Sequence, residues 1–297
     1  MSPAESSRAA RRPREKQTSG VDAHHHVWRI ARGDYGWLQP TPALVAICRD
    51  FALDELRPQL AAANIDATVL VQAAPTVAET HYLLEVAQQS AGLVRGVVGW
   101  VDLGAGDAVQ TLSTLAANPL LKSVRPMLHD LADPAWILRP EVQSALSALP
   151  ALGLRFDALV RPRELKALRA MLAAHPDLAV IVDHCAKPEI AAGGWEPWAA
   201  DITAIAAQSS AHCKLSGLVT EAGGGWTIDA LRRYVDHVIA CFGAERVIWG
   251  SDWPVVTLAA SYAEWHEASE VLLAALSPAE RAAVRGGNAR RCYGLGV

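Results

Sequence analysis

The sequence has no Cys-x-x-Cys pair, and its cysteines are odd in number: Cys48, Cys185, Cys213, Cys241 and Cys292. A disulfide framework or a thiolate zinc site needs paired or clustered thiols, so neither is expected. Reduced, mostly buried thiols in a cytoplasmic protein are. No apolar run reaches the roughly 18 residues that suggest a membrane span, and no signal-peptide apolar region is present. Charge of either sign is nearly balanced, with 27 Lys and Arg against 31 Asp and Glu and a net charge of −4. Such a chain has no global field to gather nucleic acid or an acidic membrane surface. A Gly-rich phosphate turn after the first strand-like segment is also missing, which removes the usual mark of a dinucleotide-binding sheet.

What is present is a chain of 297 residues, 51% hydrophobic, enough for a large core. Residues 1–20 stand apart: they are Ser-, Ala- and Arg-rich, with Arg11-Arg12-Pro13-Arg14-Glu15-Lys16 and no core-forming period. A disordered basic tail is expected there, with one folded domain over residues 21–297. From Val21 on, short β-like runs alternate with Ala/Leu-rich stretches whose apolar residues recur every three or four positions. The expected strands are Val21–Trp28, Ala67–Gln72, Val94–Val101, Ser123–Leu128, Gly153–Leu159, Ala179–His184, Cys213–Leu218 and Val247–Gly250. Eight strands, each followed by a helical pattern, predict an α/β fold, a closed parallel (β/α)8 TIM barrel, with an open doubly wound sheet as the alternative. Thr227 is placed to cap the helix over Ile228–Phe242, and Ser261–Leu276 and Pro278–Tyr293 read as closing helices.

Barrels of this kind build their sites at the C-terminal ends of the strands. Two segments dominate there: Asp22-Ala23-His24-His25-His26 early in the chain and Val247-Ile248-Trp249-Gly250-Ser251-Asp252-Trp253-Pro254 late in it. Alternation along a strand puts Asp22, His24 and His26 on one face, Val180, Val182 and His184 on one face, and Ile248, Gly250 and Asp252 on one face. By the same arithmetic Asp183 faces the helices and is structural. His24, His26, His184 and Asp252 are therefore the candidate catalytic residues, and the same four are the candidate metal ligands if an ion is bound. Arg125, Lys214 and Asp157 lie in strands four, seven and five as candidate substrate contacts. Each has a plainer alternative, since an Arg in a strand is often an ion-pair partner. His129 and Asp130 are further candidates for touching substrate, and Lys187 reads as a loop residue near the mouth. Trp28, Trp37, Trp195 and Trp253 fall near loops, where an indole can back a sugar-like ring; Trp28 and Trp253 are the two favoured, against the alternative of ordinary core packing.

These segments carry a resemblance. Asp22-Ala23-His24-His25-His26-Val27-Trp28 with Tyr35-Gly36-Trp37-Leu38 resembles the opening of the amidohydrolase-2 group of the amidohydrolase superfamily. Val182-Asp183-His184-Cys185-Ala186-Lys187-Pro188, Cys213-Lys214-Leu215-Ser216-Gly217-Leu218-Val219-Thr220-Glu221 and Trp249-Gly250-Ser251-Asp252-Trp253-Pro254-Val255 are similar to its later motifs. Nearest is its lactone-hydrolase branch. The resemblance implies a (β/α)8 barrel that opens a lactone with water, the substrate being a sugar-acid lactone such as L-fuconolactone or L-rhamnonolactone, or a related carboxylated lactone. It implies His24, His26, His184 and Asp252 as the core site, and Arg125 where the branch has an arginine that meets substrate. Strands four and five end without the extra Lys or His of metal-rich members, so a binuclear centre is not expected. A single Zn²⁺-like divalent ion and metal-independent activity both stay open. In this reading Asp252 is the general base on a water, and the histidines stabilise the developing oxygen charge. The rival readings are a metal-dependent decarboxylase of the same superfamily and a non-catalytic barrel that binds a ligand. The small-molecule partner is then the lactone, with neither nucleic acid nor membrane, and homo-oligomerisation is left open.

Overall fold

In the computed structural model residues 19–296 are described, so most of the basic tail, residues 1–18, lies outside the described residues. Gly20, read as tail, already belongs to the first strand. The eight strands are β1 (Gly20–His25), β2 (Ile65–Val71), β3 (Val94–Gly99), β4 (Leu121–Val124), β5 (Arg155–Ala158), β6 (Val180–Val182), β7 (His212–Leu215) and β8 (Val247–Trp249). They pair in parallel in sequence order, β1 to β8. Helices lie between them, as the alternating pattern requires. Ile228–Phe242 is capped by the Thr227 hydroxyl, which accepts from the Ala230 amide, and the C-terminal helices include Tyr262–Leu272 and Asn288–Tyr293. No helix among the described residues is long and apolar enough to cross a membrane.

The barrel's seam coincides with the two His/Asp segments. β1 and β8 meet through a parallel bridge between His25 and Trp253. The Asp252 amide donates to the His24 carbonyl at 2.7 Å and the His26 amide to the Trp253 carbonyl at 2.6 Å. The interior is lined by small and branched residues such as Val21, Ala23, Val69, Val71, Val98, Ile181 and Ile248, while the larger apolar cluster packs the strands against the helices. Burying this surface is the main force that closes the barrel.

Two local departures from strand alternation decide which polar side chains enter the barrel. Against β2, Asp22 pairs with Thr68 but His25 pairs with Leu70, so β1 carries one extra residue. This bulge turns Ala23 and His24 to the interior together. Asp22 is left on the outer side, where its carboxylate accepts from the Ser251 amide and the Tyr262 hydroxyl. The expectation that Asp22 shares the histidines' face is thus corrected. In β6 the inner positions are Ile181 and Asp183, not Val180 and Val182. His184 also enters because the backbone leaves the strand there and turns left-handed, with φ of +52°. Asp183, read as helix-facing, points into the barrel.

Candidate active site

Asp252 follows β8 with φ of +60°, a left-handed conformation that Asp tolerates better than most residues. Its Oδ1 lies 3.3 Å from His26 Nε2, 3.7 Å from His24 Nε2 and 3.9 Å from His184 Nε2. All four side chains are buried. The first and last strands of the barrel, together with β6, therefore bring three imidazoles to one carboxylate oxygen. Burial alone would raise the Asp252 carboxyl, but His184, the hydrogen bond from His26, and Lys187 outweigh it and hold the group below its ordinary value. It is ionised at neutral pH.

The imidazoles are aimed by their other nitrogens. His26 Nδ1 donates to the Val71 carbonyl at 2.8 Å, which turns Nε2 toward Asp252. His184 Nδ1 lies 2.9 Å from the Ser216 hydroxyl. His24 sits between two cations, with Nδ1 3.2 Å from Lys214 Nζ and Nε2 3.3 Å from an Arg125 guanidinium nitrogen. Burial, then Lys214, then Arg125 push its pKa well down, so this ring is neutral. Two glycines make the close approach fit. A Cβ on Gly250 would stand 2.7 Å from His24 Cβ and 3.0 Å from its backbone nitrogen; a Cβ on Gly217, already at φ of +70°, would stand 2.7 Å from His184 Nδ1. Gly250→Ala is expected to displace His24, lowering both kcat and the midpoint of thermal unfolding, with a stability cost of about 1–3 kcal/mol. A kinetic and melting comparison with wild type checks this.

Beneath the histidines lies a charged layer. Lys214 Nζ, fully buried, contacts Asp157 at 2.5 Å and Asp183 at 3.0 Å. Arg125 contacts Asp183 at 3.2 Å and the Gln72 carbonyl, and Gln72 returns a bond to the Arg125 carbonyl at 2.6 Å. Asp157 also accepts from the Ser123 and Tyr293 hydroxyls at 2.6 and 2.7 Å. Two cations and two carboxylates balance here. Lys214 and Asp157 are both sealed below the cavity, so the structure places neither where a substrate would touch it. Arg125 does border the cavity, and its Nε has no hydrogen-bond partner among the described residues.

The cavity holds about 190 Å³ and is walled by His26, Arg125, His184, Lys187 and Asp252 on its polar side. His129 and Asp130 stand on its rim, and Trp37, Ala73, Met127, Leu159 and Val255 give it an apolar face. Trp37 is thus the indole at the cavity. The favoured Trp28 and Trp253 are buried behind it: Trp28 meets Trp37 edge-on with ring centres 5.7 Å apart, and both pack on Phe51. Their placement is corrected because both lie at the β1–β8 seam, where the helix-side core claims them. Asp183 is the interior residue missed at the sequence level, while Lys187, read as a loop residue near the mouth, does border the cavity. For Asp183 a signal existed, since two cations inside a barrel require two interior carboxylates and Asp157 supplied only one.

The amidohydrolase family matches residues 21–295. An L-fucono-1,5-lactonase of Burkholderia ambifaria is 45% identical over 280 residues, covering 93% of this chain and 96% of that protein. An L-fucono-1,5-lactonase of Burkholderia multivorans is 34% identical, covering 93% and 96%. A crystal structure of a Burkholderia multivorans amidohydrolase with bound zinc superimposes with a TM-score of 0.87 at 35% identity, covering 94% of this chain and all of that one.

Proposed function

We propose that this chain, which belongs to the amidohydrolase family, is a lactonase that opens a sugar lactone by water attack with Asp252 as general base. The observation that carries the reading is the buried Asp252 carboxylate at the mouth of a barrel, 3.3–3.9 Å from three imidazoles. The likeness to two L-fucono-1,5-lactonases supports a six-membered sugar lactone as the substrate.

Asp252 takes a proton from water as its oxygen bonds to the lactone carbonyl carbon. The carbonyl oxygen gains negative charge, which the Arg125 guanidinium at the cavity wall is placed to offset. The ring C–O bond then breaks, and the proton passes from Asp252 to the leaving alkoxide, giving the open hydroxy acid. Since the base must be deprotonated and its pKa is lowered, kcat/KM is expected to stay level from neutral pH down. It should fall only below the ordinary carboxylate value of 3.8. A pH–rate profile with an acid limb well above that value would contradict the assignment.

The donor set also fits one divalent ion, Zn²⁺ being the best supported by the zinc-bound relative. His24, His26 and Asp252 each offer one ligand atom, all within 4.8 Å of one another, and His184 borders them. The Val71 carbonyl behind His26 and the Ser216 hydroxyl behind His184 are partners of the kind that orient ligating imidazoles. Such an ion would supply Lewis-acid polarisation of the substrate carbonyl. The far side of His24 is filled by Lys214 and Arg125, whose charges disfavour a second ion. Elemental analysis is therefore expected to find one divalent ion per chain, and two would contradict this placement. The function itself is tested by hydrolysis of a panel of sugar lactones with and without chelator; a folded protein that accelerates none of them in either condition would refute it.

A further inference from the structure

We propose that Lys187 is a specificity residue of this site: its ammonium group, held by Glu221, donates to ring hydroxyls of a polyhydroxylated lactone and selects such lactones over unsubstituted ones. The inference rests on the lactonase reading. Lysine is scarce in this chain, with five in all, Lys16, Lys122, Lys166, Lys187 and Lys214. A lysine on the cavity wall is therefore not drawn from a lysine-rich surface.

Lys187 borders the cavity together with His184 and Asp252. Its Nζ donates to Glu221 Oε1 at 2.6 Å, with the two side chains only 15% and 18% exposed. An ammonium carries three donors. Glu221 takes one, and the other two have no acceptor among the described residues. The neighbouring wall of Trp37, Ala73, Met127, Leu159 and Val255 packs a ring but offers its hydroxyls no partner from these side chains other than the indole N–H, which already donates to the Ala73 carbonyl.

The backbone points the same way. His184, Cys185, Ala186 and Lys187 have φ of 52°, 51°, 60° and 48°, four left-handed residues in a row without a glycine, closed by the Lys187 amide donating to the His184 carbonyl at 2.8 Å. L-residues resist this conformation, and such strain persists where the surroundings over-determine it, often at working sites. Here one left-handed turn carries His184 to Asp252 and Lys187 to the cavity wall. Glu221 arrives from a different connection, the short helix Leu218–Ala222 after β7, and so fixes the lysine before substrate binds. Because Glu221 already pairs the ammonium, its two remaining donors carry a partly balanced charge. That suits neutral hydroxyls more than the carboxylate of a carboxylated lactone.

The test compares kcat/KM for a six-membered sugar lactone and for unsubstituted δ-valerolactone in wild type, Lys187→Met, Lys187→Arg and Glu221→Gln. In Lys187→Met the ratio of the two is expected to fall by about 10- to 100-fold, carried by KM for the sugar lactone, as for a lost hydrogen bond to a charged donor. Glu221→Gln should shift the ratio the same way by less, and Lys187→Arg should recover part of it. If Lys187→Met fails to fold, the Glu221→Gln ratio decides. Equal losses on both lactones, or no loss on either, would overturn the inference alone. A wild type that hydrolyses neither lactone would overturn the lactonase reading and this inference with it.

Discussion

Asp252→Asn lowers kcat for lactone hydrolysis by at least ~10²-fold, the range expected for a lost general base, and leaves the thermal transition near that of wild type. The two halves of this outcome have separate causes. Asn is nearly isosteric and is, with Asp, among the residues most tolerant of the left-handed backbone that Asp252 adopts at φ of +60°. The amide can still face His26 and His24, so the seam between β1 and β8, made by backbone bonds from Asp252 and His26, is kept. What it cannot do is accept a proton from water at neutral pH. Steady-state kinetics beside a melting curve checks both halves. Near-normal turnover in a well-folded variant would remove Asp252 from the chemistry.

The second large effect is on stability. Lys214→Met removes the one ammonium that contacts both Asp157 and Asp183, all three being fully buried. Arg125 still faces Asp183, whereas Asp157 keeps only the hydroxyls of Ser123 and Tyr293. Removing one partner of a buried pair strands the other in a poorly solvating interior, at a cost of about 3–5 kcal/mol. The pH dependence follows from the signs. In wild type, burial would raise Asp183, but Lys214 and then Arg125 hold it below its ordinary value, so its contribution is present at neutral pH and is lost as pH falls through that lowered pKa. Burial already holds Asp157 above its ordinary value in wild type, with Lys214 pulling it back; in the variant that pull is gone and Asp157 should titrate higher still. Its penalty is therefore full at neutral pH and shrinks on acidification. Urea unfolding at pH 7 and pH 5 should show the gap to wild type narrowing at the lower pH; a gap that widens would contradict the arrangement.

The same layer shows what the sequence made legible. Each of the eight strands overlaps the β-branched or apolar run expected for it, although β4 ends at Val124, short of Arg125, and the helix Ile228–Phe242 has the bounds its periodicity predicts. A strand of a buried parallel barrel and an amphipathic helix each leave a pattern of several residues, so their signals add up. The candidate site was legible as residue types, because two histidines one position apart and an aspartate after an apolar strand are unusual in a core. Which face each occupies was not. Period-two arithmetic holds only while the strand does, and it failed at the β1 bulge, which sends Asp22 outward. It failed again at β6, where Ile181 and Asp183 take the inner positions and a left-handed turn then brings in His184 as well. Depth was also hidden. Lys214 and Asp157, expected as substrate contacts, are fully buried and absent from the cavity wall, a depth that depends on strand stagger around the whole barrel.

The most direct measurement of the central claim is a crystal structure of the Asp252→Asn variant holding an intact sugar lactone. The account predicts the lactone in the cavity between Trp37 and the histidines, its carbonyl carbon within about 3.5 Å of a water bound to the residue 252 side chain, the distance of a near-attack arrangement. A lactone bound with its carbonyl turned away from residue 252, with no water between them, would contradict it.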